Sequence, residues 1–150
     1  MKLPQSAIDT IETWRLGFIA TVSKAGTPNV SPKGTFVVID EETIAFGEMR
    51  SPNTMANLAH QPEVEVNFVD QLSRAGVRIR GKAKIIEHGP EFEALLPHFI
   101  PIWGEELTVM FNAIVIVPCD EVKPLRSPAY ELGTTEPEFR ALWKSKIAEM

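Results

Sequence analysis

Short segments in which apolar and polar residues alternate constrain the fold of this chain most. In EVEVNFV, residues 63–69, every second residue is apolar, and turn signals separate this segment from its neighbours. A period of two is typical of a strand with one buried face. The alternation of strands with long helices that builds parallel sheets is absent. The pattern therefore predicts antiparallel sheets.

Six segments show a strand pattern, and short helices flank them. The predicted strands are residues 17–23, 29–39, 43–49, 63–69, 77–87 and 107–117. The predicted helices are residues 6–14, 52–60, 90–99 and about 136–149. Short strands with brief helices between them indicate a mainly β protein with a closed or partly closed antiparallel barrel. We expect residues 1–150 to form one domain.

Composition narrows the function classes. The formal net charge of −5 argues against the phosphate-backbone contacts of a nucleic-acid-binding protein. No apolar stretch reaches the length of a membrane span, and the first residues lack the apolar core of a signal peptide. Cys119 is the single cysteine, so an internal disulfide is excluded. We expect a cytoplasmic protein with no metal site and no nucleic-acid or membrane partner.

The sequence RSPNT, residues 50–54, has the signature of a helix start, with Ser51 as N-cap and Pro52 at the first helical position. A helix N-terminus presents unpaired N–H groups, and here guanidinium, hydroxyl and amide groups surround it. The segment is a candidate cradle for a phosphate monoester. An ordinary capped helix is the alternative.

The predicted strand at residues 29–39 is interrupted by Pro32 and Gly34. Proline lacks a ladder donor and glycine lacks a side chain, so a flat ligand can lie against the backbone here while Lys33 supplies positive charge. A flavin needs such a surface, because its reduced ring carries negative charge. A kink in an edge strand is the alternative.

A row of basic residues lies between residues 77 and 85. The period of a strand puts Arg78, Arg80, Lys82 and Lys84 on one face. Ion pairs with Glu63 and Glu65 of the preceding strand, or exposure to solvent, would explain this row. The other explanation is that Arg78 or Arg80 faces a bound phosphate or a partner subunit.

Three segments, in this order, resemble the pyridoxamine 5'-phosphate oxidase-like split barrels that bind FMN. They are GFIATVSKAGTPNVSPKG, TIAFGEMRSPNTMANLAHQPEVEVNF and VRIRGKAKII, and the resemblance covers about residues 7 to 120. It implies a six-stranded antiparallel Greek-key split barrel with short flanking helices. It also implies a homodimer with its FMN sites at the subunit interface.

The residues that the resemblance assigns to FMN fall into three groups. Those along the isoalloxazine ring are Pro32, Lys33, Gly34 and Thr35. Those beside the ribityl chain are Gly47 and Glu48. Those around the phosphate are Arg50, Ser51, Asn53 and Thr54. Arg78 and Arg80 are further candidates, which the row of basic residues supplies rather than the resemblance. The true oxidases have an Arg-Lys pair in place of Asn53-Thr54 and a C-terminal substrate motif that this chain lacks, so pyridoxal phosphate synthesis is not expected.

The favoured interpretation is an FMN-dependent oxidoreductase that acts on a small-molecule substrate. One alternative is a non-catalytic flavin-binding or flavin-sensing dimer, and another is a related split barrel that binds deazaflavin or haem. A barrel that only mediates protein interactions is the third. The apolar segment at residues 107–117 is expected to contribute to the dimer interface.

Overall fold

The computed structural model describes all residues, Met1–Met150. It contains nine strands and five α-helices. The strands are β1 (Gly17–Val22), β2 (Pro28–Lys33), β3 (Phe36–Asp40), β4 (Thr43–Glu48), β5 (Glu63–Asp70), β6 (Ala75–Lys82), β7 (Lys84–Ile86), β8 (Ala113–Pro118) and β9 (Glu121–Arg126). The helices are α1 (Gln5–Trp14), α2 (Pro52–His60), α3 (Pro90–Leu95), α4 (Ile100–Thr108) and α5 (Glu136–Ala148).

The strands form two antiparallel sheets. The five-stranded sheet has the order β2-β1-β5-β6-β9, and the four-stranded sheet has the order β3-β4-β8-β7. The prediction of a mainly β, antiparallel protein is confirmed. No ladder joins the two sheets into a closed barrel, and the six-stranded Greek-key arrangement is not confirmed.

Two of the predicted strands are each divided where the chain crosses between the sheets. Segment 29–39 forms β2 in one sheet and β3 in the other, with Gly34 and Thr35 between them. Segment 77–87 likewise forms β6 and β7, with Ala83 between them. A strand that changes sheets must leave one ladder before it joins the next, and Pro32 and Gly34 permit that break. Lys84 therefore does not share a face with the basic residues of β6.

The predicted strand at residues 107–117 is wrong in its first half. Leu107 and Thr108 end α4, and β8 begins only at Ala113. A short apolar run does not distinguish a strand from a buried helix end, and the Thr108 hydroxyl donates back to the Gly104 carbonyl at 3.2 Å. The apolar side chains of β8 are mostly buried within the protomer, whereas Val109 and Met110 of the same segment are exposed. The edge strand β9 is not predicted from the sequence.

Two apolar cores lie on opposite faces of the four-stranded sheet. Between the sheets, the ring of Phe36 packs at centroid distances of 5.2 Å from Phe46 and 4.7 Å from Phe68. On the other face, Ile114 packs with aromatic residues of the α3–α4 region, including Phe99. The four-stranded sheet is thus covered on both sides. None of the helices has the length and apolar character of a membrane span.

Helix α2 is held against the five-stranded sheet by one polar contact and one apolar contact. The Asn57 side chain donates to the Thr21 hydroxyl of β1 at 3.0 Å, within the protein interior. Leu58 is buried in the core between the sheets. These contacts hold the C-terminal half of α2, and only Met49, Arg50 and Ser51 separate its start from the end of β4.

Candidate functional site

A cavity of about 200 Å³ lies where the chain crosses from β2 to β3, beside the end of β4 and the start of α2. The residues that line it are Pro32, Lys33, Gly34, Thr35, Gly47, Met49, Arg50 and Ser51. All of them except Met49 are predicted site residues. The fold therefore brings together the interrupted strand and the helix start, two motifs that the sequence analysis identified separately.

Thr35 and Gly47 hold the two sides of the cavity together. The Thr35 hydroxyl donates to the Gly47 carbonyl at 2.9 Å and accepts from the Gly47 N–H at 3.1 Å. A Cβ atom at Gly47 would overlap the ring of Phe111, whereas one at Gly34 would meet nothing within 4 Å. Packing against Phe111 is therefore sufficient reason for glycine at position 47.

Lys33 is a buried cation at the cavity wall. Its ammonium donates to the Ser31 hydroxyl at 2.7 Å and lies 5.8 Å from the centroid of the Phe46 ring. Burial lowers the pKa of Lys33, and the nearby carboxylate of Glu48 opposes this effect only in part. Because no carboxylate forms an ion pair with Lys33, an anion in the cavity would stabilise its charged form.

Glu48 is buried and organises the turn between β4 and α2. Its Oε1 atom accepts from the Ser51 N–H at 2.6 Å and from the Ser51 hydroxyl at 3.0 Å, and its Oε2 atom accepts from the Asn112 amide at 3.3 Å. Ser51 thus stands at the N-cap position, but its side chain accepts no hydrogen bond from α2 and instead donates to Glu48. Asn112 was not a predicted site residue, and its only signal is a polar side chain within an apolar run.

The N-terminus of α2 has unpaired donors. Pro52 has no N–H group, and the N–H groups of Asn53 and Thr54 have no partner, so the first helical hydrogen bond is that of Met55 to Ser51 at 3.0 Å. Arg50 is exposed and forms no ion pair. The side chains of Asn53 and Thr54 do not line the cavity. This end of α2 therefore offers backbone donors and one guanidinium to an anion.

Arg78 and Arg80 do not line the cavity. They lie on the outer face of the five-stranded sheet, where the Arg78 Nε atom donates to Asn67 at 3.0 Å and Arg80 forms an ion pair with Glu65 at 2.5 Å. Cross-strand pairing, one of the two explanations for the basic row, is thus observed for Arg80. The remaining basic residues of the row are also paired, Lys82 with Glu63 and Lys84 with Glu91.

Cys119 is buried at the end of β8. Burial raises the pKa of its thiol to about 11, which keeps it protonated near neutral pH. It is a structural residue of the core between the sheets.

These features define a class of protein, a two-sheet antiparallel β fold with a basic cavity where the chain crosses between its sheets. The family model of pyridoxamine 5'-phosphate oxidase matches residues 3–118. The chain belongs to this family. No curated protein matches it in sequence.

Solved structures share the fold. HupZ of Group A Streptococcus superposes with a TM-score of 0.73 at 27% sequence identity, covering 83% of this chain and 95% of its own. A Lactobacillus delbrueckii protein provisionally described as a pyridoxamine 5'-phosphate oxidase gives a TM-score of 0.69 at 24% identity, covering 81% and 93%. An FMN-binding protein of Syntrophomonas wolfei gives 0.67 at 15% identity, covering 82% and 86%.

Proposed function

We propose that this protein binds FMN and is an FMN-dependent oxidoreductase acting on a small-molecule substrate. The observation that carries the proposal is one cavity that combines the buried ammonium of Lys33, the free guanidinium of Arg50 and the neighbouring N-terminus of α2. All three favour an anionic ligand. The chain belongs to a family whose fold an FMN-binding protein shares, which supports FMN as that ligand.

The residues present fit the parts of FMN. Pro32, Lys33, Gly34 and Thr35 would lie along the isoalloxazine ring, and Gly47 and Glu48 beside the ribityl chain. Arg50 and the N–H groups of Asn53 and Thr54 would hold the phosphate, and Ser51 would join them if its hydroxyl left Glu48. Bound FMN supplies hydride transfer at its ring, and the positive charge of Lys33 would stabilise the reduced form.

We further propose that the protein acts as a homodimer whose second copy completes the cavity. About 200 Å³ is less than the 300 Å³ or more that enclosed sites for ligands of drug size occupy. Beside the cavity, the outer face of the five-stranded sheet exposes apolar side chains, with Phe18 42% and Val30 64% accessible. Phe18 pairs directly with Pro32 of the cavity rim. Covering this apolar patch would extend the wall of the cavity.

The dimer would also give Arg78 and Arg80 their predicted role. The register places Arg78 in one row with Asn67, Phe18 and Pro32. Three strand spacings separate Arg78 from Pro32, about 14 Å, so Arg78 does not reach the cavity of its own protomer. It would reach a phosphate only in the cavity of the second copy.

The visible absorption spectrum, with and without added FMN, tests the cofactor. We expect a bound-flavin spectrum, and in the Arg50→Ala, Asn53→Ala double variant a Kd for FMN about tenfold or more higher, because charge-assisted hydrogen bonds are lost. The Lys24→Ala, Gln71→Ala double variant changes exposed polar residues elsewhere and should bind FMN like the unchanged protein. Failure to bind FMN in titration would refute the proposal, and titrations with deazaflavin and haem would then test the related cofactors.

The reduction potential of bound FMN tests the role of Lys33. Methionine keeps much of the length of the side chain and removes its charge, so Lys33→Met should lower the potential by destabilising the reduced anionic ring. An unchanged potential with unchanged FMN affinity would contradict the role.

The second candidate function is a non-catalytic flavin-binding dimer. Apart from Lys33, the cavity contains no side chain suited to proton transfer except those of Thr35 and Ser51, and this favours the second candidate. That candidate predicts FMN binding without turnover of any reduced nicotinamide or small oxidisable substrate.

Sedimentation at micromolar concentration tests the dimer. The Val30→Lys variant puts a charge into the apolar patch and should shift the equilibrium to monomer, while Lys24→Glu in the neighbouring turn should leave it unchanged. FMN affinity should fall with the loss of the dimer. A monomeric protein that retains FMN would refute the interfacial site but not FMN binding.

A further inference from the structure

A second cleft, of about 500 Å³, lies between α5 and the outer face of the five-stranded sheet. Its walls are mainly apolar and include Val69, Leu125, Phe139 and the ring of Trp143. It shares no residue with the cavity at the β2–β3 crossing. It is therefore a separate site, and its volume suits a ligand with a ring and a short chain.

Two arginines flank this cleft without carboxylate partners. The guanidinium of Arg74 lies 3.6 Å from the centroid of the Trp143 ring, and that of Arg126 lies 4.2 Å from the centroid of Tyr130. No acidic residue lines the cleft, and Arg74 and Arg126 take part in none of the ion pairs of the chain, unlike Arg80 and Arg140. A guanidinium stacked on a ring keeps its N–H edge free for an anion.

The position of these arginines is fixed by the surrounding fold. Ala75 and Arg126 are paired in the ladder between β6 and β9, so Arg74 and Arg126 lie at the same end of the sheet. The backbone of Arg74 has a φ of 56°, a region that favours glycine or asparagine. The turn that contains it is held by the Tyr130 hydroxyl, which donates to the Ser73 carbonyl at 2.5 Å. Arg74 thus has a disfavoured backbone conformation, and the surrounding contacts hold it there.

Trp143 contributes the surface of its ring to the cleft, but not its N–H group. Its indole N–H is buried and has no hydrogen-bond partner, the only such buried side-chain atom in the protein. Burial of an unpaired donor is unfavourable, and because this N–H group has no accessible surface, a ligand in the cleft would contact the ring rather than the N–H group. The cleft thus combines apolar walls and two unpaired guanidinium groups.

We propose that the cleft between α5 and the five-stranded sheet binds a small amphipathic organic carboxylate. The apolar body of this ligand lies on Phe139 and Leu125, and its carboxylate bridges Arg74 and Arg126. Both parts of such a ligand contribute, because a simple ion gains nothing from the apolar walls and a neutral apolar molecule gains nothing from the guanidinium groups.

The test uses the indole N–H signals in a two-dimensional nitrogen–proton spectrum of the full chain. The protein has three tryptophans, and Trp143→Phe assigns the signal of interest. 4-Phenylbutyrate should shift the Trp143 signal saturably and leave those of Trp14 and Trp103 in place. Arg74→Gln and Arg126→Gln should each raise the Kd about tenfold, and Lys144→Gln, an exposed charge on α5 outside the cleft, should change it less than about twofold.

Matched compounds separate the outcomes. 4-Phenylbutanol has the same apolar body without the charge, and inorganic phosphate has the charge without the body. Weak binding of both, compared with 4-phenylbutyrate, supports the proposal. Equal binding of the alcohol or an equal effect of phosphate would overturn the proposal. The absence of a saturable shift with about 10 mM 4-phenylbutyrate would also overturn it, because a Kd above about 10 mM corresponds to a binding free energy of less than about 3 kcal/mol. The Trp14 and Trp103 signals show whether each variant remains folded.

Discussion

The two sheets differ in how their outer faces are covered. The outer face of the four-stranded sheet is buried under the α3–α4 region, where Ile114 packs with Phe92 and Phe99. The outer face of the five-stranded sheet is covered only at one edge by α5, and it exposes Phe18 and Val30 at the other. The covered face stabilises the protomer, whereas the open face has surface available for a second copy or a ligand. The same type of sheet thus contributes to stability in one half and, in the proposals above, to binding in the other.

The largest contrast in the free energy of unfolding is expected when one β-branched residue on each outer face is replaced by alanine. Ile114→Ala should lower the free energy of unfolding by about 2–5 kcal/mol, because it leaves a cavity in a packed core. Val30→Ala should change it by no more than about 0.5 kcal/mol at low protein concentration. Chemical denaturation measures both values.

The concentration dependence sharpens this comparison. If a second copy covers Val30, the effect of Val30→Ala on unfolding grows with protein concentration, while that of Ile114→Ala does not. Equal effects of the two substitutions in the protomer would show that the outer faces do not differ as described.

The two glycines of the candidate FMN cavity allow the next comparison. Gly47→Ala should destabilise the protein by about 1–3 kcal/mol, because the new methyl group overlaps the Phe111 ring. Gly34→Ala meets no neighbouring atom, so it should be nearly neutral for stability and should weaken FMN binding if the ring lies against that backbone. Thermal unfolding and FMN titration of both variants separate packing from ligand contact. A stable Gly47→Ala variant would contradict the packing reason.

The sequence predicted the elements whose patterns are local. The alternation in β5 and the serine-proline start of α2 each depend on a few neighbouring residues, and the structure has both elements at the expected positions. The segment at residues 107–117 was mistaken for one strand because the residue before β8 is held by contacts distant in sequence, such as the donation from the Asn112 side chain to the Met49 carbonyl at 2.7 Å. Local patterns do not contain such contacts.

The candidate site was predictable to a similar extent. Proline and glycine in a strand, and an arginine before a helix start, are visible in sequence, and the cavity unites them. The use of the Ser51 hydroxyl by Glu48, and the burial of Lys33, depend on how the turn between β4 and α2 folds over the sheet crossing. The cleft beneath α5 had no signal, because Arg74, Arg126 and Trp143 come from three separate elements.

The ion pair between Asp70 and Arg140 fixes α5 over the open face, at 2.6 Å. Burial alone would raise the pKa of Asp70, but hydrogen bonds from Leu72, Ser73 and Arg140 outweigh it and lower the pKa below its ordinary 3.8. A lowered folded-state pKa gives stability that is present above 3.8 and lost as the pH falls through the folded-state value. Asp70→Asn should therefore reduce the free energy of unfolding at neutral pH, and the difference should shrink below pH 3.8.

Denaturation at a series of pH values measures this effect, with Asp120→Asn as the control, since Asp120 is exposed and its side chain has no hydrogen-bond partner. A pH-independent difference between Asp70→Asn and the unchanged protein would mean that the carboxylate charge is not what holds α5.

The smallest effect is expected from the ion pairs on the open face itself. Arg80 pairs with Glu65 and Glu121, but its side chain is 56% accessible, so water and salt screen the attraction. Arg80→Gln should leave the unfolding midpoint of the monomer almost unchanged, and any difference should vanish at high ionic strength. If Arg80 instead reaches a phosphate in the second copy, the same variant should weaken FMN binding to the dimer while stability stays constant. An FMN titration and a denaturation curve of this single variant therefore decide whether the row of basic residues on β6 only balances the neighbouring glutamates or also contributes to binding.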